Sequence, residues 1–207
     1  MWALVESDSI TKIINNPKAM VIGDVQYPAK IFQLWSESEL NAIGIYEVIT
    51  NSSNKKDERW YINTNESYAF ADNQVTRSWG TATPKAHADS LYTAQDNTDG
   101  LIPDDKDVGD VKTRGLKYNL IQTIKQQASG LLAPTDWYVV KASEVSDYSV
   151  PTNIATYRAS VRTKSNEMET LITNATDTPA LETLYTYTEQ DDGSVTRPLG
   201  ELPTLEI

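Results

Sequence analysis

The chain has no cysteine and a single histidine, His87. Without thiols there are no disulfides and no thiolate metal sites. With one imidazole, zinc motifs of the HExxH kind are excluded, and a Ser-His-Asp or Cys-His arrangement has no base other than His87. His87 sits in a polar stretch among alanines and reads as a solvated bystander. No run approaches the roughly 20 consecutive apolar residues that a membrane-spanning helix needs. The opening residues 1–6 carry no basic n-region, so no secretory leader is expected. Positive charge is also short, with 18 Lys+Arg against 29 Asp+Glu and a net charge of −11. That balance repels polyanions and argues against nucleic acid as a partner.

Phosphate loops are missing as well. Gly109 and Gly115 stand one residue too far apart for a Walker A loop, and Leu116-Lys117 follows where Lys-Ser/Thr is needed. No GxGxxG occurs, and Gly193-Ser194 lacks the flanking pattern of a nucleophile elbow. The acidic stretch 96–110 is the one plausible cation site, yet as a calcium loop from Gln95 it would place Gln at position one and Lys106 at position twelve. No enzyme activity, cofactor, metal or membrane contact is therefore expected.

What is present points to a folded protein. Five tryptophans and eleven tyrosines are far more than a disordered chain carries. Residues 2–6 and 10–14 are apolar runs around Ser7-Asp8-Ser9, a hairpin signal, and residues 18–22 before Gly23-Asp24 predict a third strand. Ser36-Glu37-Ser38-Glu39 is a capping box, predicting a helix of about two turns ended by Gly44. Residues 45–49, 59–64, 68–71 and 75–79 read as further strands, the last two joined across Asp72-Asn73-Gln74. From residue 111 the period turns helical: Val111, Leu116, Leu120, Ile124, Ala128 and Leu131 form one stripe, with Gly115 as its weak point and Pro134 as its stop. A second helix from Pro151 has a heptad-like stripe of Ile154, Tyr157, Val161, Lys164, Met168, Leu171 and Ala175. The expected fold class is α+β: a small antiparallel β module over 1–80, an extended acidic linker over 81–110, an antiparallel two-helix hairpin over 111–176 and an acidic, proline-containing tail over 177–207. That tail is expected to be ordered only where a partner holds it.

One segment carries a resemblance. Leu131-Leu132-Ala133-Pro134-Thr135-Asp136-Trp137, then Val150-Pro151, then Tyr157-Arg158-Ala159-Ser160-Val161-Arg162 resembles the phage tail-fibre assembly (tail assembly chaperone) family. The N-terminal block, with Trp2-Ala3-Leu4-Val5, Ile22-Gly23-Asp24 and Ile43-Gly44-Ile45-Tyr46, is similar to the β-rich front end often attached to such proteins. The clear match covers about thirty residues, and the chain departs from the family at its end, where Arg197-Pro198-Leu199-Gly200-Glu201-Leu202-Pro203 replaces a Trp-Pro-rich finish. The resemblance implies a bacteriophage tail-fibre-associated protein that works by protein–protein binding. It would act as an assembly chaperone or as an accessory retained on the virion tail, present in the host cytoplasm during assembly. Its partners would be the tail fibre or other virion tail proteins, in a single copy or as a homo-oligomer.

The candidate partner-binding residues are Asp136, Trp137, Tyr157, Arg158 and Arg162. Physically, Asp136 is expected to cap the turn between the helices and Trp137 to bury its ring between them. Tyr157 lies in the apolar stripe, while Arg158 and Arg162, four apart, face Asp136, Glu144 or a partner's carboxylates. Two other readings stay open: a purely structural virion component with no chaperone role, and a carbohydrate-binding or hydrolytic module that uses exposed tryptophans, Trp60 and Trp79, on sugar.

Overall fold

The structure, a computed structural model, describes residues 1–205. It is mixed α+β and divides into two units, Met1–Thr83 and Pro84–Ile207. The first begins with the expected hairpin. Strands β1 (Trp2–Glu6) and β2 (Ser9–Ile14) pair antiparallel, and Ser7 and Asp8 both take positive φ. Two left-handed residues in a row make the turn whose twist matches its strands. A smaller hairpin, β3 (Met20–Ile22) and β4 (Val25–Tyr27), turns at Gly23. Helices α1 (Ile31–Leu34) and α2 (Glu37–Ala42) follow, the second with both arms of the Ser36/Glu39 capping box in place. Its exit needs glycine: Gly44 has φ +81°, and a Cβ there would lie 2.5 Å from the Val5 carbonyl oxygen.

Strand β5 (Ile45–Thr50) joins β1 antiparallel. After the two-residue strand β6 (Tyr61–Ile62), β7 (Ser67–Ala71) and β8 (Gln74–Ser78) form a second tight hairpin at Asp72-Asn73, again both with positive φ. The sheet order is β2-β1-β5-β8-β7. One pair departs from the antiparallel expectation: β8 runs parallel to β5, with Val48 opposite Val75. The excursion through residues 51–73 carries the chain back to the starting end of β5, which a hairpin connection would not do.

The sheet curls until its edge strands β2 and β7 touch. This explains why residues 2–5 are apolar without alternation. Leu4 packs with Ile14, Ile31, Leu40 and Ile45 on one face, and Ala3 and Val5 pack with Val48 and Val75 on the other.

The second unit opens at Pro84, within β9 (Thr83–Pro84), and the stretch read from sequence as an extended linker carries short elements. Strand β10 (Ser90–Leu91) pairs with β11 (Val111–Thr113), and the short helix α3 (Ala94–Thr98) has a Thr93/Asp96 capping box. Two acids of this stretch are engaged by cations. Asp96 meets Lys112, whose ammonium together with the Thr93 hydroxyl and amide lowers its carboxyl to about 2. Asp89 accepts from the Gly115 amide (2.8 Å) and from Arg114 (2.6 Å), which lowers its pKa too, with the amide as the larger cause.

These contacts also correct the first helix, which starts at Leu116 and not near Val111: α4 spans Leu116–Leu132. Its first-turn amides are closed from outside, Gly115 by Asp89, Leu116 by the Ala86 carbonyl and Lys117 by the His87 carbonyl. Gly115 is therefore the docking point and not a weak point. A Cβ there would meet the Ala88 backbone at 2.3 Å.

Helix α4 is followed by a 3-10 turn (Ala133–Thr135), α5 (Asp136–Glu144) and α6 (Thr152–Asn174). Helices α4 and α6 run in opposite senses along each other: Lys117 donates to the Thr173 carbonyl, Lys125 sits 3.5 Å from Glu169, and the Tyr157 hydroxyl donates to the Leu131 carbonyl. The buried positions of α6 are Ile154, Tyr157, Arg158, Val161, Ser165, Met168 and Ile172. The predicted heptad stripe thus slips by one residue, from Lys164 to Ser165 and from Leu171 to Ile172. A 3.5-residue repeat drifts on a straight 3.6-residue helix.

After α7 (Thr178–Tyr185), capped by Asp177, strands β12 (Thr188–Glu189) and β13 (Val195–Thr196) form a last hairpin. The tail, expected to need a partner, is held by its own chain. Leu199 is fully buried, Leu202 and Leu205 pack on Ala128, Tyr157 and Val161, and Arg197 clasps Glu201 between Tyr185 and Tyr187. Glu206 and Ile207 lie outside the described residues.

Candidate functional site

The residues singled out in the sequence meet where α4 ends. Pro134 stops that helix and leaves the carbonyls of its last turn without helical partners. Side chains of α6 take them up. The Tyr157 hydroxyl donates to Leu131 (3.2 Å), and Arg158 Nη1 donates to the Leu132 carbonyl (3.0 Å) and to Thr135 Oγ1 (2.6 Å). Thr135 in turn donates to the Leu132 carbonyl, and Arg158 Nη2 reaches Asp136 Oδ1 at 2.8 Å. Arg158 is only 7% exposed. A guanidinium suits this place because its planar fork reaches several spread-out acceptors at once, a geometry that the compact ammonium of lysine does not match. Asp136 does not act as the expected cap, since its carboxylate is directed to Arg158 instead.

This knot fixes the start of α5, and α5 buries none of its residues. Trp137, expected between the helices, is 52% exposed. It lies against Tyr138, ring centroids 4.0 Å apart, with the Lys141 ammonium 5.7 Å from its ring and 4.3 Å from that of Tyr148. Val139, Val140 and Val145 are exposed with it. The cause lies in the sequence: Trp137-Tyr138-Val139-Val140 are consecutive, so at about 100° per residue they point all round the helix, and no single packing face covers them. Arg162, one turn along α6 from Arg158, is exposed and has no ion-pair partner among the described residues. The five candidates therefore separate. Asp136, Tyr157 and Arg158 form the knot, while Trp137 and Arg162 face outward.

Trp60 and Trp79 are 3% and 8% exposed, with the Arg59 and Arg77 guanidinia lying against their rings. Neither offers a face to a sugar. The exposed tryptophan that sequence reasoning misplaced is Trp137, and the run of four apolar residues on a nine-residue helix was the available signal. Among the described residues there is no group of three or more His, Asp or Glu placed to hold a metal ion, and no helix is long and apolar enough to cross a membrane. Comparison with family models, curated proteins and solved structures finds no match to this chain.

Proposed function

We propose that this is a bacteriophage tail-fibre-associated protein that acts by binding other proteins, with no enzymatic role, as an assembly chaperone or as an accessory kept on the virion tail. The observation that carries the reading is α5, a helix anchored at its base by Arg158 that presents Trp137, Val139 and Val140 to solvent. A rigid helix with an aromatic anchor and flanking valines suits groove binding, in which a few apolar side chains supply most of the affinity. The antiparallel pair α4 and α6 serves as the frame that holds this helix out. The residues of the knot are those through which the chain resembles the tail-fibre assembly family, so the resemblance and the exposed helix support the same reading.

Co-expression with a tail-fibre chain of the same phage tests this. A soluble, trimeric fibre is expected only when the protein is present and only with Trp137 intact. A fibre that reaches the same yield alone, or with Trp137→Ala, rejects the chaperone role. A fixed copy number in purified particles then separates a retained structural component from a chaperone that leaves.

A further inference from the structure

On the reading of the second unit as a protein-binding one, we propose that the groove between α4 and α6 beside α5 is a site for a carboxylate-bearing segment of the partner protein, with Arg162 as its principal contact. The groove encloses about 410 Å³, within the range of clefts that take small ligands. Its lining mixes the apolar Ala128 and Leu132 with the polar Ser129, Ser165 and Asn166, and of these Ala128 and Ser165 are buried.

Charge is what distinguishes it. On a chain of net charge −11, this lining brings together Lys125, Arg158 and Arg162 with one carboxylate, Asp136. Asp136 is already committed to Arg158, and Lys125 leans 3.5 Å toward Glu169. Arg162 is the remaining cation, exposed and without an ion-pair partner among the described residues. A guanidinium in a lining that also holds Ala128 and Leu132 favours a planar carboxylate with a short aliphatic neighbour, held by two parallel N–H···O bonds. The acidic remainder of the surface repels such a segment and directs it to this groove.

The test uses the full chain labelled with ¹⁵N and two capped tripeptides, Ac-Leu-Asp-Leu-NH₂ and its Asn analogue. The Asp peptide is expected to shift the amides of residues 128–132 and 162–166, to bind about five- to tenfold tighter than the Asn peptide, and to weaken as salt is raised. Arg162→Glu should abolish that preference, and Arg162→Lys should retain part of it. Equal binding of the two peptides, or an Arg162→Glu variant that keeps the preference, overturns the proposal. Inorganic phosphate competing as well as the Asp peptide also overturns it, because the site would then be a general anion site. Failure here is distinguishable from failure of the fibre-binding reading. A protein that loses its fibre with Trp137→Ala but not with Arg162→Glu keeps that reading and refutes only the groove.

Discussion

Helices α5 and α6 lie within one unit and treat their apolar side chains in opposite ways. Seven residues of α6 are buried, at steps of three and four broken only by the adjacent pair Tyr157-Arg158, although the helix is rich in Thr, Ser and Asn. Helix α5 has four apolar residues in a row and buries none. Spacing and not apolar content decides which helix joins the core, because a core contacts only one face of a helix. Apolar content without spacing stays outside, and there it is available to a partner.

The comparison breaks most visibly with a matched pair of truncations. Ile172→Ala removes a fully buried side chain of α6 and should cost about 2–5 kcal/mol in urea unfolding. Val140→Ala on α5 should change stability by no more than about 0.5 kcal/mol. Comparable losses at the two sites would mean that α5 is buried in solution. Next in size is Arg158→Ala, which leaves the Leu132 carbonyl and Thr135 without their charged donor, an expected loss of about 2–3 kcal/mol. A lost helix contact alone would have the same global effect, so hydrogen exchange supplies the discriminating readout. The amides of α5 should lose protection before those of α4 and α6, since the knot is what anchors α5.

Much of this was legible in the sequence. Both left-handed hairpin turns, the Ser36 capping box and the change to helical period appeared where local side chains dictate local geometry. The failures share a cause. Asp89 and Asp96 read as solvent-facing linker because their cations, Arg114 and Lys112, lie 25 and 16 residues away. Leu199, Leu202 and Leu205 read as loose tail because the surface that holds them comes from α4 and α6. Trp137 reads as a ring between the helices, but its place in an unbroken apolar run on α5 leaves it 52% exposed.

Trp137→Ala sharpens the contrast from the other side. Stability should stay within about 0.5 kcal/mol of the parent, while affinity for the proposed fibre partner falls by roughly thirtyfold, as for truncation of a central aromatic anchor. Calorimetric titration against a purified tail-fibre chain measures the second quantity and chemical unfolding the first. If stability falls and binding does not, the ring belongs to the core and the proposed surface is misassigned.

The smallest effect concerns carboxylates, which divide as the apolar side chains do. Asp96 is lowered to about 2, first by Lys112 and then by Thr93, so its ionised form is favoured in the folded state. A depressed folded-state pKa stabilises the protein fully above the ordinary aspartate value of 3.8, and the contribution disappears as pH falls from there toward 2. Asp89 shifts the same way through the Gly115 amide and Arg114, so its ionised form also supports that segment above the ordinary aspartate value, a support lost on acidification. Carboxyl-carbon NMR should find Asp96 titrating well below 3.8 in the parent and returning toward that value in Lys112→Gln. Amides of residues 89–117 should open on acidification ahead of those in α6. An Asp96 that titrates normally would mean that this segment is the solvated linker its composition describes, with α4 starting free of it.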